Sequence, residues 1–110
     1  MEYTREYKVK QDLSTRTYAQ LLKTTINLKN DYPEISIKIK NDAEPNLIEL
    51  SNTDIIGLLH NKISGHTKIE VMVSGYPENI LKKCADDIVN IMDEDYKAYK
   101  HKKEPSYSFA

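Results

Sequence analysis

Hydrophobic and polar positions alternate along parts of this chain and recur with a helical period along others. Residues 2–10, EYTREYKVK, alternate weakly, with Tyr3, Tyr7 and Val9 set among charges. That pattern predicts a strand with one wet face. From 15 to 29 the period changes. Tyr18, Leu21, Leu22, Ile26 and Leu28 fall on a mostly apolar helical face. The helix is expected to end near Lys29-Asn30, because Asp31-Tyr32-Pro33 continues it poorly. Ile35, Ile37 and Ile39 alternate with Ser36, Lys38 and Lys40. This is the clearest strand, with the isoleucines toward the core.

Residues 41–46 form a turn by composition, and 47–50, LIEL, form a short returning strand. Ser51, Asn52, Thr53 and Asp54 offer cap residues before a short helix over 55–59. Ser64-Gly65-His66 breaks the chain, and 68–74 alternates Ile69, Val71 and Val73 inward as a fourth strand. Gly75-Tyr76-Pro77 turns, with Pro77 near the first helical position, where its missing N–H costs nothing. Residues 78–94 then place Ile80, Leu81, Cys84, Ile88, Ile91 and Met92 on one helical face.

The order β-α-β-β-α-β-α predicts an α+β fold, a four-stranded antiparallel sheet with three helices on one face and water on the other. A ferredoxin-like split βαβ shares the first six elements.

Composition narrows the function. One hundred and ten residues suit one domain. A net charge of −1 argues against nucleic acid as a default partner. The charge is uneven, however. Residues 1–95 read as the domain. Residues 96–110 read as a basic, aromatic-rich C-terminal extension, with Lys97, Lys100, Lys102 and Lys103 against Glu104, and the last helix running on to about His101. Such an extension is ordinarily a solvated tail; its lysines and aromatics also suit an acidic partner or a phosphate backbone. Cys84 is the only cysteine, so an intrachain disulfide is impossible and a reducing cytoplasm fits. No signal peptide or membrane span is expected.

The candidate chemistry sits where the first strand joins the first helix, at Asp12-Leu13-Ser14-Thr15-Arg16-Thr17-Tyr18. Ser14, Thr15 and Thr17 are cap residues. Arg16 lies in the first turn, where the helix dipole disfavours a cation. Two readings follow: a serine cap with a solvated arginine, or a helix start that binds an anion. Elsewhere there is no CxxC pair, no HxxxH, no glycine-rich phosphate loop and no GxSxG. No metal site and no cofactor are expected; the acids at 86–87 and 93–95 read as solvated helix charges. Cys84 reads as a buried, inert thiol.

With these residues on the page, the chain resembles HPr, the histidine-containing phosphocarrier of the bacterial phosphoenolpyruvate:sugar phosphotransferase system. In that family a Gly-Leu-His-Ala-Arg-Pro-Ala segment opens the first helix; here the matching residues run from Asp12 to Tyr18, followed by Ala19. The family's regulatory-serine segment, about Lys-Ser-Ile-Met-Gly-Val, is matched by Thr53-Asp54-Ile55-Ile56-Gly57-Leu58. The resemblance covers residues 3–94, closely from Asp54 to Met92 and more loosely before. It implies an HPr-like open-faced β-sandwich.

The departures bear on chemistry. The family's phosphorylated histidine falls at Ser14, its arginine is kept as Arg16, and its proline is Thr17. His60, His66 and His101 do not fall at the matching position and read as surface or loop residues. The regulatory serine is Asp54, which is either a plain N-cap or a fixed, imperfect imitation of phosphoserine. The family's catabolite-repression branch also lacks the histidine and binds a transcription regulator. By that resemblance the expected function is regulatory protein binding without phosphocarrier activity, through Ser14, Thr15, Arg16, Asp54, Ile55 and Leu58, with Tyr18 and Leu59 as further candidates for an apolar patch. The alternative is a phosphoacceptor using a hydroxyl at Ser14, Thr15 or Thr17. A third reading is a generic α/β binding domain, marked by a different strand order.

Overall fold

The computed structural model describes residues 1–42, 47–60 and 63–103, with side chains as far as 98 in the last helix. The elements are β1 (Glu2–Lys8), α1 (Thr15–Asp31), β2 (Ile35–Asn41), β3 (Leu47–Glu49), α2 (Ile55–His60), β4 (Lys68–Gly75) and α3 (Leu81–Lys103). Short 3-10 turns precede α2 at Leu50–Asn52 and α3 at Glu78–Ile80. The sheet runs β1-β4-β2-β3, with every neighbouring pair antiparallel. This is an α+β, HPr-like open-faced β-sandwich, the expected fold class.

The alternating strands supply its floor. Ile37 lies opposite Val73 and Ile39 opposite Val71, and all four are fully buried. Burying each such side chain stabilises the fold by roughly 1.5–3 kcal/mol. Helices cover this face through Tyr18, Leu21 and Leu28 of α1, Leu58 of α2, and Leu81, Cys84, Ile88 and Met92 of α3. The opposite face is wet and charged. Lys68 pairs with Glu6 at 3.1 Å, Lys38 with Glu49 at 3.5 Å and Lys40 with Glu70 at 3.9 Å. Each exposed pair contributes at most about 1 kcal/mol, so the pairs keep this face hydrated more than they stabilise it.

Several expectations change. β1 ends at Lys8, and Val9 is buried, its N–H donating to the Thr67 carbonyl at 2.9 Å. α1 reaches Asp31, with the Tyr32 N–H donating to the Leu28 carbonyl at 2.7 Å. Its buried stripe is Thr17, Tyr18, Leu21, Thr25 and Leu28, while Ile26 is 59% exposed. Thr25 is admitted because its hydroxyl donates to the Leu21 carbonyl at 2.8 Å, inside the helix's own turn. Leu50 begins a 3-10 turn instead of ending β3. Pro77 has an extended backbone and precedes its turn, so it stands one place before the first helical position.

α3 runs on past residue 95 to Lys103. Tyr96 sits under the Lys10 ammonium, 5.4 Å from nitrogen to ring centre. Residues 104–110 of the extension, and 43–46 of the expected turn, lie outside the described residues. No described helix is long and apolar enough to cross a membrane.

The acids of α3 are not merely solvated. Asp86 accepts from Arg5 at 2.5 Å, and Asp93 accepts from Lys10 at 2.7 Å and from the Tyr7 hydroxyl at 3.2 Å. They hold the edge strand β1 against the last helix. Lys10 and Lys97 keep the Asp93 carboxyl below its ordinary range, while burial and Asp93 push Tyr7 up to about 12.

Candidate functional site

The start of α1 is built as a cap. Ser14 has an extended backbone and its Oγ accepts the Thr17 N–H at 3.2 Å. The Tyr18 N–H donates to the Ser14 carbonyl at 3.1 Å, the first bond of the helix. The loop before it is pinned from the far side of the fold. Asp12 Oδ1 accepts the Gly65 N–H at 2.7 Å, and the Leu13 N–H donates to the Ile63 carbonyl at 3.4 Å. Gly65 is required by this contact, since a Cβ there would come within 2.7 Å of Gln11 Cα.

These bonds shape a hollow of about 290 Å³ lined by Asp12, Leu13, Ser14, Thr15, Tyr18, Leu59, Ile63 and Ser64. Two of the expected site residues, Ser14 and Thr15, meet here. Thr15 is exposed, and among the described residues its hydroxyl has no hydrogen-bond partner.

Arg16 does not share this hollow. It is exposed and lines a different one, of about 500 Å³, with Gln20, Ile91, Glu94, Asp95 and Ala98. Among the described residues it makes no ion pair. Thr17 lies between the two, 1% exposed, and its hydroxyl donates to Asp95. Carboxylates therefore stand on both sides of the helix start, Asp12 on one and Glu94 with Asp95 on the other. A carboxylate near a helix N-terminus is favoured by the dipole. Here Asp95 of α3 takes that place. Ser14 and Arg16, the two parts of the expected anion site, thus lie in separate hollows, the first with Asp12 and the second with Glu94 and Asp95. Thr17 as a phosphoacceptor is corrected, because its hydroxyl is buried and engaged.

The second expected site separates from the first. Asp54 caps α2, its Oδ1 accepting the Gly57 N–H at 2.8 Å. Ile55 is half-buried against the core. Leu58 is fully buried, so as a partner contact it is corrected: it anchors α2 from beneath. Ile56, 63% exposed, is the apolar residue α2 presents outward. Tyr18 is likewise core, at 2% exposure, while Leu59 lines the hollow at the edge of the core.

Sequence reading assigns no role to Asp12 within its stretch or to Ile63, and reads Asp95 only as a solvated charge. Asp12 has a local signal, an acid just before a cap, but Asp95 lies 78 residues from Thr17 and has none. His60 and His66 are exposed and line neither hollow at the helix start, and the His101 side chain lies outside the described residues. Cys84 is buried, which pushes its thiol up and leaves it protonated. Among the described residues, no group of three or more His, Cys, Asp or Glu is placed to hold a metal ion.

No family model matches this chain, and no curated protein matches it.

Proposed function

We propose that this chain is an HPr-like protein that keeps the scaffold of the phosphocarrier without its chemistry, and that it works in the bacterial cytoplasm as a regulatory protein-binding module. The observation that carries this reading is the helix start. Ser14 stands where the family's histidine would be, its oxygen holds the Thr17 N–H, and Arg16 lies in a separate hollow with Glu94 and Asp95. A serine phosphate ester also has a much lower transfer potential than a phosphohistidine. Binding falls to Ser14 and Thr15 at the hollow, with Asp54, Ile55 and the exposed Ile56 on α2.

A second reading is favoured by Thr15 alone. Its hydroxyl is exposed beside the hollow and unengaged among the described residues, so it is the one hydroxyl of the three open to a kinase.

The test has two arms. The protein is incubated with phosphoenolpyruvate and the general phosphotransferase enzyme, and separately with ATP and the kinase that modifies HPr, then weighed by mass spectrometry. No added phosphate is expected; phosphate on Ser14 or Thr15 would replace the binding reading with the acceptor reading. In parallel, 15N-labelled protein is titrated with the general enzyme and with the transcription regulator bound by the family's catabolite-repression branch. Amide shifts are expected at Thr15, Ile55 and Ile56. Silence with both partners would remove the regulatory assignment.

A further inference from the structure

β1 is an edge strand of seven residues that contains neither proline nor glycine. Its register with β4 sorts its backbone groups. The Val9 N–H donates to Thr67 and the Met1 carbonyl accepts from Gly75, so the odd-numbered residues bond inward to β4. Glu2, Thr4, Glu6 and Lys8 therefore direct their N–H and C=O groups to the open edge. Among the described residues these groups have no partner.

The side chains divide in the same way. Of the four charges on β1, Arg5 is paired with Asp86 and Glu6 with Lys68. Glu2 and Lys8 have no ion pair among the described residues, and they are opposite in sign. A two-fold axis through Arg5 brings two copies of β1 together antiparallel. Glu2 then faces Lys8 twice, and Tyr3 faces Tyr7 twice on the helix side. Sliding the pair by two residues sets Glu2 against Glu6, or Glu6 against Glu6, so one register is selected. Arg5 meets its own copy, but each carries its Asp86.

We propose that β1 is a self-association edge: a second copy of this chain adds its own β1, antiparallel and centred on Arg5, to make one continuous sheet. Charged edge strands ordinarily deter such pairing. Here the two charges left without a partner among the described residues match each other across an isologous contact.

Sedimentation velocity from about 10 μM to about 1 mM tests this, over the range expected of a weak contact. The full chain should move from monomer toward dimer. Thr4→Pro should hold it monomeric without unfolding it, because the lost N–H points only to the open edge. Glu2→Lys should push the midpoint at least about tenfold higher, and adding Lys8→Glu should restore it. A monomer throughout, or a dimer that survives Thr4→Pro, would overturn the proposal. Should Thr4→Pro fail to fold, hydrogen exchange of the unaltered chain decides. The Thr4 and Glu6 amides must slow as concentration rises; unchanged rates would overturn it equally.

Discussion

The Tyr18 hydroxyl accepts the Ile63 N–H at 2.8 Å, across 45 residues of chain and inside the core. This bond, with Leu13 N–H to the Ile63 carbonyl and Gly65 N–H to Asp12, ties the helix start to the segment that leads into β4. The hollow beside Ser14 owes its shape to these ties. Tyr18→Phe keeps the ring and its packing but leaves a buried N–H without an acceptor. Urea unfolding should show a loss of about 1–3 kcal/mol with an unchanged slope.

Ser14 and Asp54 each satisfy a helix N–H, at 3.2 Å and 2.8 Å. Ser14→Ala and Asp54→Ala should each cost about 0.5–2 kcal/mol in the same measurement. A neutral result for Ser14→Ala would mean that water or Thr17 replaces the cap.

Ser14→His puts the family's residue back at the family's position. Mass spectrometry after incubation with phosphoenolpyruvate and the general phosphotransferase enzyme should still find no phosphate. Arg16 lies in the hollow of Glu94 and Asp95, so the returned imidazole gains no clean anion site. Phosphate on the introduced imidazole would show that the surrounding carboxylates are no barrier.

Two groups between β1 and α3 give stability a pH dependence. Asp93 titrates below its ordinary 3.8 because Lys10 and Lys97 bond to it. Its contribution is present above the unfolded value and is lost as pH falls through the lower folded one. Tyr7 is raised from 10.0 to about 12 by burial and by Asp93. The phenol stays neutral longer in the folded chain, so its contribution is present below pH 10.0 and disappears between 10.0 and about 12. Thermal melts across both ranges should show both losses. Asp93→Asn should flatten the acid limb and Tyr7→Phe the alkaline one.

Gly75 holds a backbone φ of 114°, and a Cβ there would strike the Glu34 carbonyl oxygen in the turn just before β2. Gly75→Ala should therefore cost at least about 1–2 kcal/mol, read by calorimetry as a lowered melting temperature.

Much of the scaffold was legible in the chain because it depends on periods of two and 3.6. The Ile35, Ile37, Ile39 row and the Ile69, Val71, Val73 row lie buried where alternation put them. Ser14 and Asp54 cap helices as their type and position suggested. Where the reading failed, the way each helix sits on the core decided. Ile26 looks apolar enough for the core, but the buried stripe of α1 passes through Thr25, whose hydroxyl the helix itself satisfies. Leu58 looked available to a partner, yet it packs beneath its own short helix.

By itself, the sequence determined the element order, the inward faces of the strands and the caps, because local sterics and hydrophobic period act over a few residues. Only the tertiary structure decided the electrostatics of the helix start. Thr17 meets Asp95 across 78 residues, and Arg5 meets Asp86 across 81. Such pairs have no period. They exist because the sheet and α3 bring separate stretches together, and that packing sets Asp95 of α3 against the first turn of α1.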